Sequence, residues 1–270
     1  MIAVTVCEPY ASMYDPADIE PWAGFDDDFH DKPYAQKQLR VNWDVQDMTW
    51  DDWAPFVARY LGVITQLDDQ VGRVMKALDE RGLADDTLVV YTSDHGDLCG
   101  SHGLPDKHFV MYDDVVRVPM MMRWPGRIAP AQQLDQFISN AIDLGPTFCG
   151  AAALECPDTF AGRNILDIAA GSADWPRDDI FASYHGNQFG SFSQRMLRDR
   201  RFKYVWNATD VDELYDLEKD PGELENIVAD PQAAKILSRL RRRLAQWMRE
   251  INDPLLNGFT LRQLEEGKKI

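Results

Sequence analysis

Positive charge is scarce in this chain: 28 lysines and arginines stand against 45 aspartates and glutamates, a formal net charge of −17. A surface that negative repels phosphate backbones and anionic headgroups, so nucleic acid and acidic membranes are excluded as general partners. Cysteine is scarce too. Cys7, Cys99, Cys149 and Cys156 show neither the paired spacing of a zinc site nor the density of a disulfide framework. They read as free thiols, which points to a reducing compartment such as the cytoplasm. Long apolar runs are missing: none approaches the roughly 18 residues of a membrane span, and no signal peptide is visible. The first strand, expected over Met1 to Val6, has no lead-in, so further chain is expected before it.

What is present supports a packed core. Hydrophobic residues make up 45% of the 270 positions, enough for one large domain or one plus a small one. The chemistry concentrates between Leu88 and Lys107. Leu88-Val89-Val90-Tyr91-Thr92 is β-branched, apolar or aromatic without alternation, the pattern of a short strand buried on both faces of a parallel sheet. Ser93-Asp94-His95-Gly96-Asp97 would then form a loop at that strand's carboxyl end, where open α/β sheets bind ligands. Asp94 and His95 offer a hard oxygen and an imidazole nitrogen to one divalent cation, and Gly96 lets the backbone turn away at once. Lys107 can return to the same crevice. A metal with a lysine suits a sulfuryl or phosphoryl group. Taken alone, Ser-Asp-His-Gly reads better as a polar turn and Lys107 as a solvated loop residue.

Elsewhere the pattern is mostly structural. Asp26-Asp27-Asp28 has no calcium-loop spacing and reads as a solvated loop, tethered to the domain by Trp22, Trp43, Trp50 and Trp53. Tyr60, Ile64, Leu67, Val71, Val74 and Leu78 line one face of a helix that ends at Arg81-Gly82. Adjacent Asp68 and Asp69 point about 100° apart on it and cannot serve one group. A strand is expected from Pro119, with Met120 to Met122 as core filling. Asp143 is the expected N-cap of a helix to about Leu154, with Pro146 in its first turn. Short extended runs over Ile180 to Tyr184, Gln194 to Leu197, Phe202 to Trp206 and Glu213 to Leu217 predict an antiparallel sheet. An amphipathic helix follows from Pro231 to Ile251, with Arg239, Arg241, Arg242 and Arg243 on its solvent face.

The stretch Ser93-Asp94-His95-Gly96-Asp97, with Gly100, His102-Gly103, Lys107, Tyr112-Asp113, Val118-Pro119 and Trp124-Pro125-Gly126, resembles the second half of a type I sulfatase of the alkaline phosphatase-like superfamily. Arg201-Phe202-Lys203-Tyr204, Glu213-Leu214-Tyr215-Asp216-Leu217 and Asp220-Pro221-Gly222-Glu223 resemble that family's C-terminal subdomain. The resemblance implies an α/β fold, an alkaline phosphatase-like αβα sandwich present as its second half over residues 1–175. A small antiparallel sheet and terminal helix would follow over residues 176–270.

By the same resemblance Asp94 and His95 bind the metal and Lys107 contacts the sulfate and leaving oxygen. Calcium is the metal of most of the family; manganese or magnesium suits an imidazole standing in for an amide oxygen. His102 is a candidate to bond a second carboxylate or reach the leaving group. His185, after a predicted strand, is a candidate substrate contact. The family's Cys-x-Pro-Ser-Arg element, whose cysteine becomes the formylglycine nucleophile, has no match: Cys7-Glu8-Pro9 is not followed by Ser-Arg. The expectation is a metal-dependent hydrolase of small-molecule or carbohydrate sulfate esters, inactive alone for want of a nucleophile and self-associating through an exposed sheet edge. The alternatives are a phosphodiesterase or phosphonate monoester hydrolase of the same superfamily, and a non-catalytic truncated module.

Overall fold

The computed structural model describes residues 5–171, 175, 177–187 and 190–269; most of the strand expected over Met1 to Val6 lies outside them. Two helices come first, α1 over Tyr34–Asn42 and α2 over Trp50–Glu80. Helix α2 starts ten residues before the periodic row begins because Thr49 and Asp52 form a capping box, Thr49 N donating to Asp52 Oδ2 over 2.8 Å. An apolar row on one helix face ordinarily packs against a core. Instead Ile64, Leu67 and Val74 are about half exposed, and the buried side of α2 is Trp53, Ala54, Val57 and Ala58 near its start. Periodicity located the helix; burial depends on what packs against it.

Strand β1 (Val89–Thr92) pairs antiparallel with β2 (Met120–Arg123), in the register Val89 opposite Arg123 and Thr92 opposite Met120. This corrects the expectation of a parallel, doubly buried strand: all four β1 residues are only half-buried. The connection holds a short 3₁₀ turn at Ser101–Gly103 and the four-residue helix α3 (Asp113–Val116), not a helix of crossover length, so the chain doubles back beside β1. Met121 is 59% exposed and does not fill a core. Helix α4 spans Asn140–Ala151, with Ser139 rather than Asp143 as N-cap. Asp143 still serves that end: its carboxylate accepts from Ser139 N at 2.7 Å and from Arg163 N at 2.9 Å. Pro146 lies past the first turn. Helix α5 covers Ile165–Ala169.

The second sheet is antiparallel, β3 (Asp179–Asn187), β4 (Ser191–Asp199), β5 (Phe202–Asn207) and β6 (Glu213–Asp216), in that order. Helix α6 (Ala234–Glu250) lays Leu237, Leu240, Leu244 and Met248 onto Leu197, Tyr204 and Leu214 of this sheet, forming one core. The arginines of α6 are not a free solvent face, as had been expected. Arg239, Arg241 and Arg243 pair with Asp199, Asp212 and Asp179 of the sheet and its turns. A terminal helix, α7 (Gly258–Glu265), is capped by Asn257, whose side chain accepts from Phe259 N and Thr260 N. No helix among the described residues is long and apolar enough to cross a membrane.

A second core joins the parts. Phe29, Leu39, Leu98, Leu104, Phe109 and Tyr112 pack with Tyr215 of β6, so the loop after β1 is clamped between the N-terminal segment and the second sheet. Trp22 donates to Cys99 O at 2.9 Å and Trp50 to Ile19 O at 2.8 Å, the tethers expected of the tryptophans.

Candidate active site

The turn after β1 is held from three sides. Ser93 Oγ donates to His95 O at 2.7 Å, Asn140 Nδ2 of α4 donates to Ser93 O at 2.5 Å, and Gly96 N donates to Val115 O of α3 at 2.8 Å. Gly96 is needed here for closeness: a Cβ at this position would stand 1.8 Å from Asp114 O. Asp94 and His95 project from this turn, with His95 Nε2 3.6 Å from Asp94 Oδ2. His95 Nδ1 lies 2.8 Å from Gly96 O; since a carbonyl only accepts, this nitrogen carries a proton, which leaves Nε2 as the ring atom that could meet a metal.

A cavity of about 1910 Å³ opens beside the turn, and Asp94, His95 and Lys107 all line it. Lys107 is half-exposed, with Nζ 3.9 Å from Asp106 Oδ1. Asp106 and His108, on either side of it, both have positive φ, so the lysine sits on a tightly kinked segment. Neither His102 nor His185 is among the residues that line the cavity. His185 is exposed on β3, with Nδ1 2.6 Å from Ser193 Oγ. His102 is fully buried, stacked on Tyr112 at 3.5 Å, with Nδ1 2.6 Å from Asp27 Oδ2.

Asp27 therefore overturns the reading of the aspartate run as a solvated loop. It is buried between His102 and Lys32. Burial pushes its carboxyl upward, but the His102 hydrogen bond and the Lys32 charge outweigh that and hold it below the usual range. For His102, burial dominates and lowers the imidazole. The pair joins the N-terminal loop to the segment that leads into Lys107.

The residues that sequence reasoning missed form the support of α3. Asp113 N donates to Glu223 Oε2 at 2.6 Å, Lys203 of β5 reaches both Asp113 and Glu223, and Arg198 of β4 pairs with Asp113 at 3.1 Å. The second sheet thus grips α3, and α3 grips Gly96. A lysine flanked by Phe202 and Tyr204 in a predicted strand was the available signal, because an ammonium there must find a buried carboxylate.

Burial, followed by the neighbouring Asp113, pushes the Glu223 carboxyl up to about 7 despite Lys203. Because the folded value exceeds the unfolded one, the stability linked to this group is fully present below about pH 4.5 and lost as pH rises through 7. Relative to Glu223→Gln, the wild type is expected to lose about 3 kcal/mol of unfolding free energy across that window. Urea denaturation of both proteins from pH 5 to 8 measures the difference. Parallel curves would refute the assignment.

Comparison with known proteins places this geometry. The sulfatase family profile matches residues 21–154, and that of the C-terminal region of N-sulphoglucosamine sulphohydrolase matches residues 100–250. An uncharacterized sulfatase, YidJ of Escherichia coli (strain K12), is 36% identical over 188 residues, covering 70% of this chain and 37% of the relative. The N-acetylglucosamine-6-O-sulfatase of Bacteroides thetaiotaomicron is 29% identical, covering 83% of this chain and 41% of the relative. The crystal structure of the phosphonate monoester hydrolase of Agrobacterium radiobacter superposes with a TM-score of 0.80 at 27% identity, over 92% of this chain and 54% of that one. The fold is that of the alkaline phosphatase-like superfamily, a class of hydrolases. Within it, the chain belongs to the sulfatase family. It spans about 37% and 41% of the length of the two curated relatives.

Proposed function

We propose that this chain supplies the metal and leaving-group face of a sulfuric ester hydrolase site, with Asp94 and His95 as metal ligands and Lys107 as the cation at the leaving oxygen. The observation that carries the reading is that these three residues line the same cavity. Asp94 and His95 fit a shared divalent cation as part of a ligand set: their donor atoms are 3.6 Å apart and the His95 tautomer is set by Gly96 O. No group of three such donors occurs among the described residues. Calcium, which takes about six to eight oxygen ligands, would need most of its shell from elsewhere. A bound cation would draw electron density from the sulfuryl oxygens.

Lys107 would orient the ester through an oxygen and neutralise charge as it develops on the leaving group, where a fixed ammonium costs no reorganisation. His102 acts at one remove, holding the Lys107 segment against Asp27. The cavity volume suits a carbohydrate sulfate ester, the substrate type named for the N-acetylglucosamine-6-O-sulfatase relative. Cys7 lies against Gln66 of α2, away from the cavity, and among the described residues no cysteine lines the cavity, which supports the reading that residues 1–270 would be inactive alone. The open edges of the two-stranded β1–β2 sheet, together with the half-exposed row on α2, are where they would self-associate.

The metal assignment has a direct test. Calorimetric titration of residues 1–270 with calcium and manganese is expected to show binding weaker than micromolar, abolished by Asp94→Ala. A micromolar or tighter site that depends on Asp94 would show that the ligand set is already complete.

A second reading, hydrolysis of phosphonate or phosphate esters, is favoured by the superposition on a phosphonate monoester hydrolase. Sulfuryl and phosphoryl groups are both tetrahedral oxyanions, and nothing in Asp94, His95 and Lys107 separates them. Comparison of aryl sulfate with aryl phosphonate turnover in a complete enzyme carrying this segment decides between the two.

A further inference from the structure

Helix α4 ends on an alanine in the left-handed region. Ala153, with φ 54°, follows the cap residue Ala152. The chain closes over it in a Schellman motif, Ala153 N donating to Gly150 O at 3.2 Å and Leu154 N to Cys149 O at 2.9 Å. Glycine is the usual residue at that position, because a Cβ is strained there. The motif reverses the chain, and the segment that follows lies back against α4, with the Phe160 ring on Gly145 and Asn164 beside Gly150.

Cys149 and Cys156 stand on the two sides of this reversal. Cys149 supplies the carbonyl that closes the turn, and Cys156 comes two residues after the Leu154 donor. Their side chains meet, the Cys156 thiol making a side-chain hydrogen bond with Cys149. Both are free thiols, Cys156 exposed and Cys149 half-buried. The other two cysteines are placed differently. Cys7 is exposed beside Gln66 Nε2, and Cys99 is buried, its thiol pushed up to about 12 by that burial and then by Asp97.

We propose that Cys149 and Cys156 form a redox modification site, which closes to an intramolecular disulfide by exchange with small disulfides of the glutathione class and fastens the end of α4. The exposed Cys156, as thiolate, attacks one sulfur of glutathione disulfide and expels the first glutathione, leaving a mixed disulfide on the protein. Cys149, as thiolate, then attacks the Cys156 sulfur and expels the second. The two cysteines give up two protons and two electrons, and glutathione disulfide is reduced to two glutathione molecules. Desolvation, then Cys149 and Asp158, hold the Cys156 thiol above its usual range, so its thiolate is scarce at neutral pH and the exchange is slow. Once closed, the ring over residues 149–156 removes freedom from the unfolded chain and pins the strained Ala153 turn. Because α4 also carries Asn140, which holds Ser93 O, the modification reinforces a helix that supports the turn after β1.

The test equilibrates residues 1–270 with mixtures of reduced and oxidised glutathione at about pH 8, where thiolate forms. Remaining thiols are then alkylated and the protein is digested with trypsin, which releases both cysteines in one peptide, residues 128–163. That peptide is expected to lose two hydrogens and to carry neither glutathione nor alkyl group, while Cys7 takes glutathione and Cys99 stays a thiol until the protein is denatured. In Cys149→Ser, Cys156 should instead retain glutathione, because the resolving thiol is gone. The oxidised wild type should melt roughly 5–10 °C above the reduced form, the scale for a short disulfide ring in a chain of this size, and Cys149→Ser should show no such shift. Glutathione persisting on Cys156 of the wild type, or both thiols alkylated in a mixture that modifies Cys7, would overturn the site. A ring that leaves Tm unchanged would overturn its role at the end of α4.

Discussion

Lys107→Ala is expected to lower aryl sulfate turnover by roughly 10²-fold or more, and Asp94→Ala by at least as much, in an enzyme that combines residues 1–270 with a formylglycine-bearing segment. The scale is that of removing one preorganised electrostatic stabiliser of a transition state. Lys107 is half-exposed and its Nζ stands 3.9 Å from Asp106 Oδ1, so its removal breaks no close ion pair and its effect should fall on turnover more than on stability. Asp94, 86% exposed at its side chain, is similarly dispensable for folding, and its loss should be read as loss of a metal ligand. Residues 1–270 alone should give no turnover, because a cation can stabilise only the charge that a nucleophile's attack creates. Steady-state kinetics with matched melting curves separates the outcomes. If the chain alone hydrolyses the ester, and Cys7→Ala abolishes that, Cys7 is the nucleophile and the present assignment is wrong.

Gly96→Ala should be the most damaging single-methyl change to the site's framework. The added Cβ would lie 1.8 Å from Asp114 O, 2.9 Å from Asp114 C and 3.3 Å from Val115 Cα, all backbone atoms with no rotamer to escape through. Relief requires α3 to separate from the turn, which breaks the 2.8 Å Gly96 N to Val115 O bond. Overpacking of about 1–3 kcal/mol together with a lost hydrogen bond of about 1 kcal/mol gives a destabilisation of roughly 3 kcal/mol. For a chain of this size that is a fall in Tm of roughly 6–12 °C. Gly72→Ala is the control: nothing lies within 4 Å of its Cβ on α2, so it should be neutral or stabilising by about 0.5–1 kcal/mol. A Gly96→Ala protein melting within a degree of wild type would show that α3 is not tied to the turn.

The candidate site was legible where its chemistry is local. Asp94, His95 and Gly96 are consecutive, so their order alone puts a carboxylate and an imidazole on one turn, and that turn indeed lies at the end of a strand. The four strands of the second sheet were legible too, since alternating short runs between polar turns have few other uses. His102 shows the limit. Its motif gave no sign of whether it faces the cavity or the interior; Asp27, 75 residues earlier, and the stacked Tyr112 decide that. The aspartate run was misread for the same reason, because burial of Asp27 depends on Lys32 and His102 closing over it.

By itself, then, the sequence determined the family, the helix and strand positions set by hydrophobic period, and the acid–imidazole–glycine turn, all properties of residues near one another along the chain. Tertiary structure alone decided the antiparallel pairing of β1 with β2, the exposure of the α2 row and the Glu223–Lys203–Asp113 support under the turn. The physical reason is common to all three. Strand partners, burial and ion pairing are fixed by contacts between segments tens to more than a hundred residues apart, and short-range patterning carries no record of which distant group arrives.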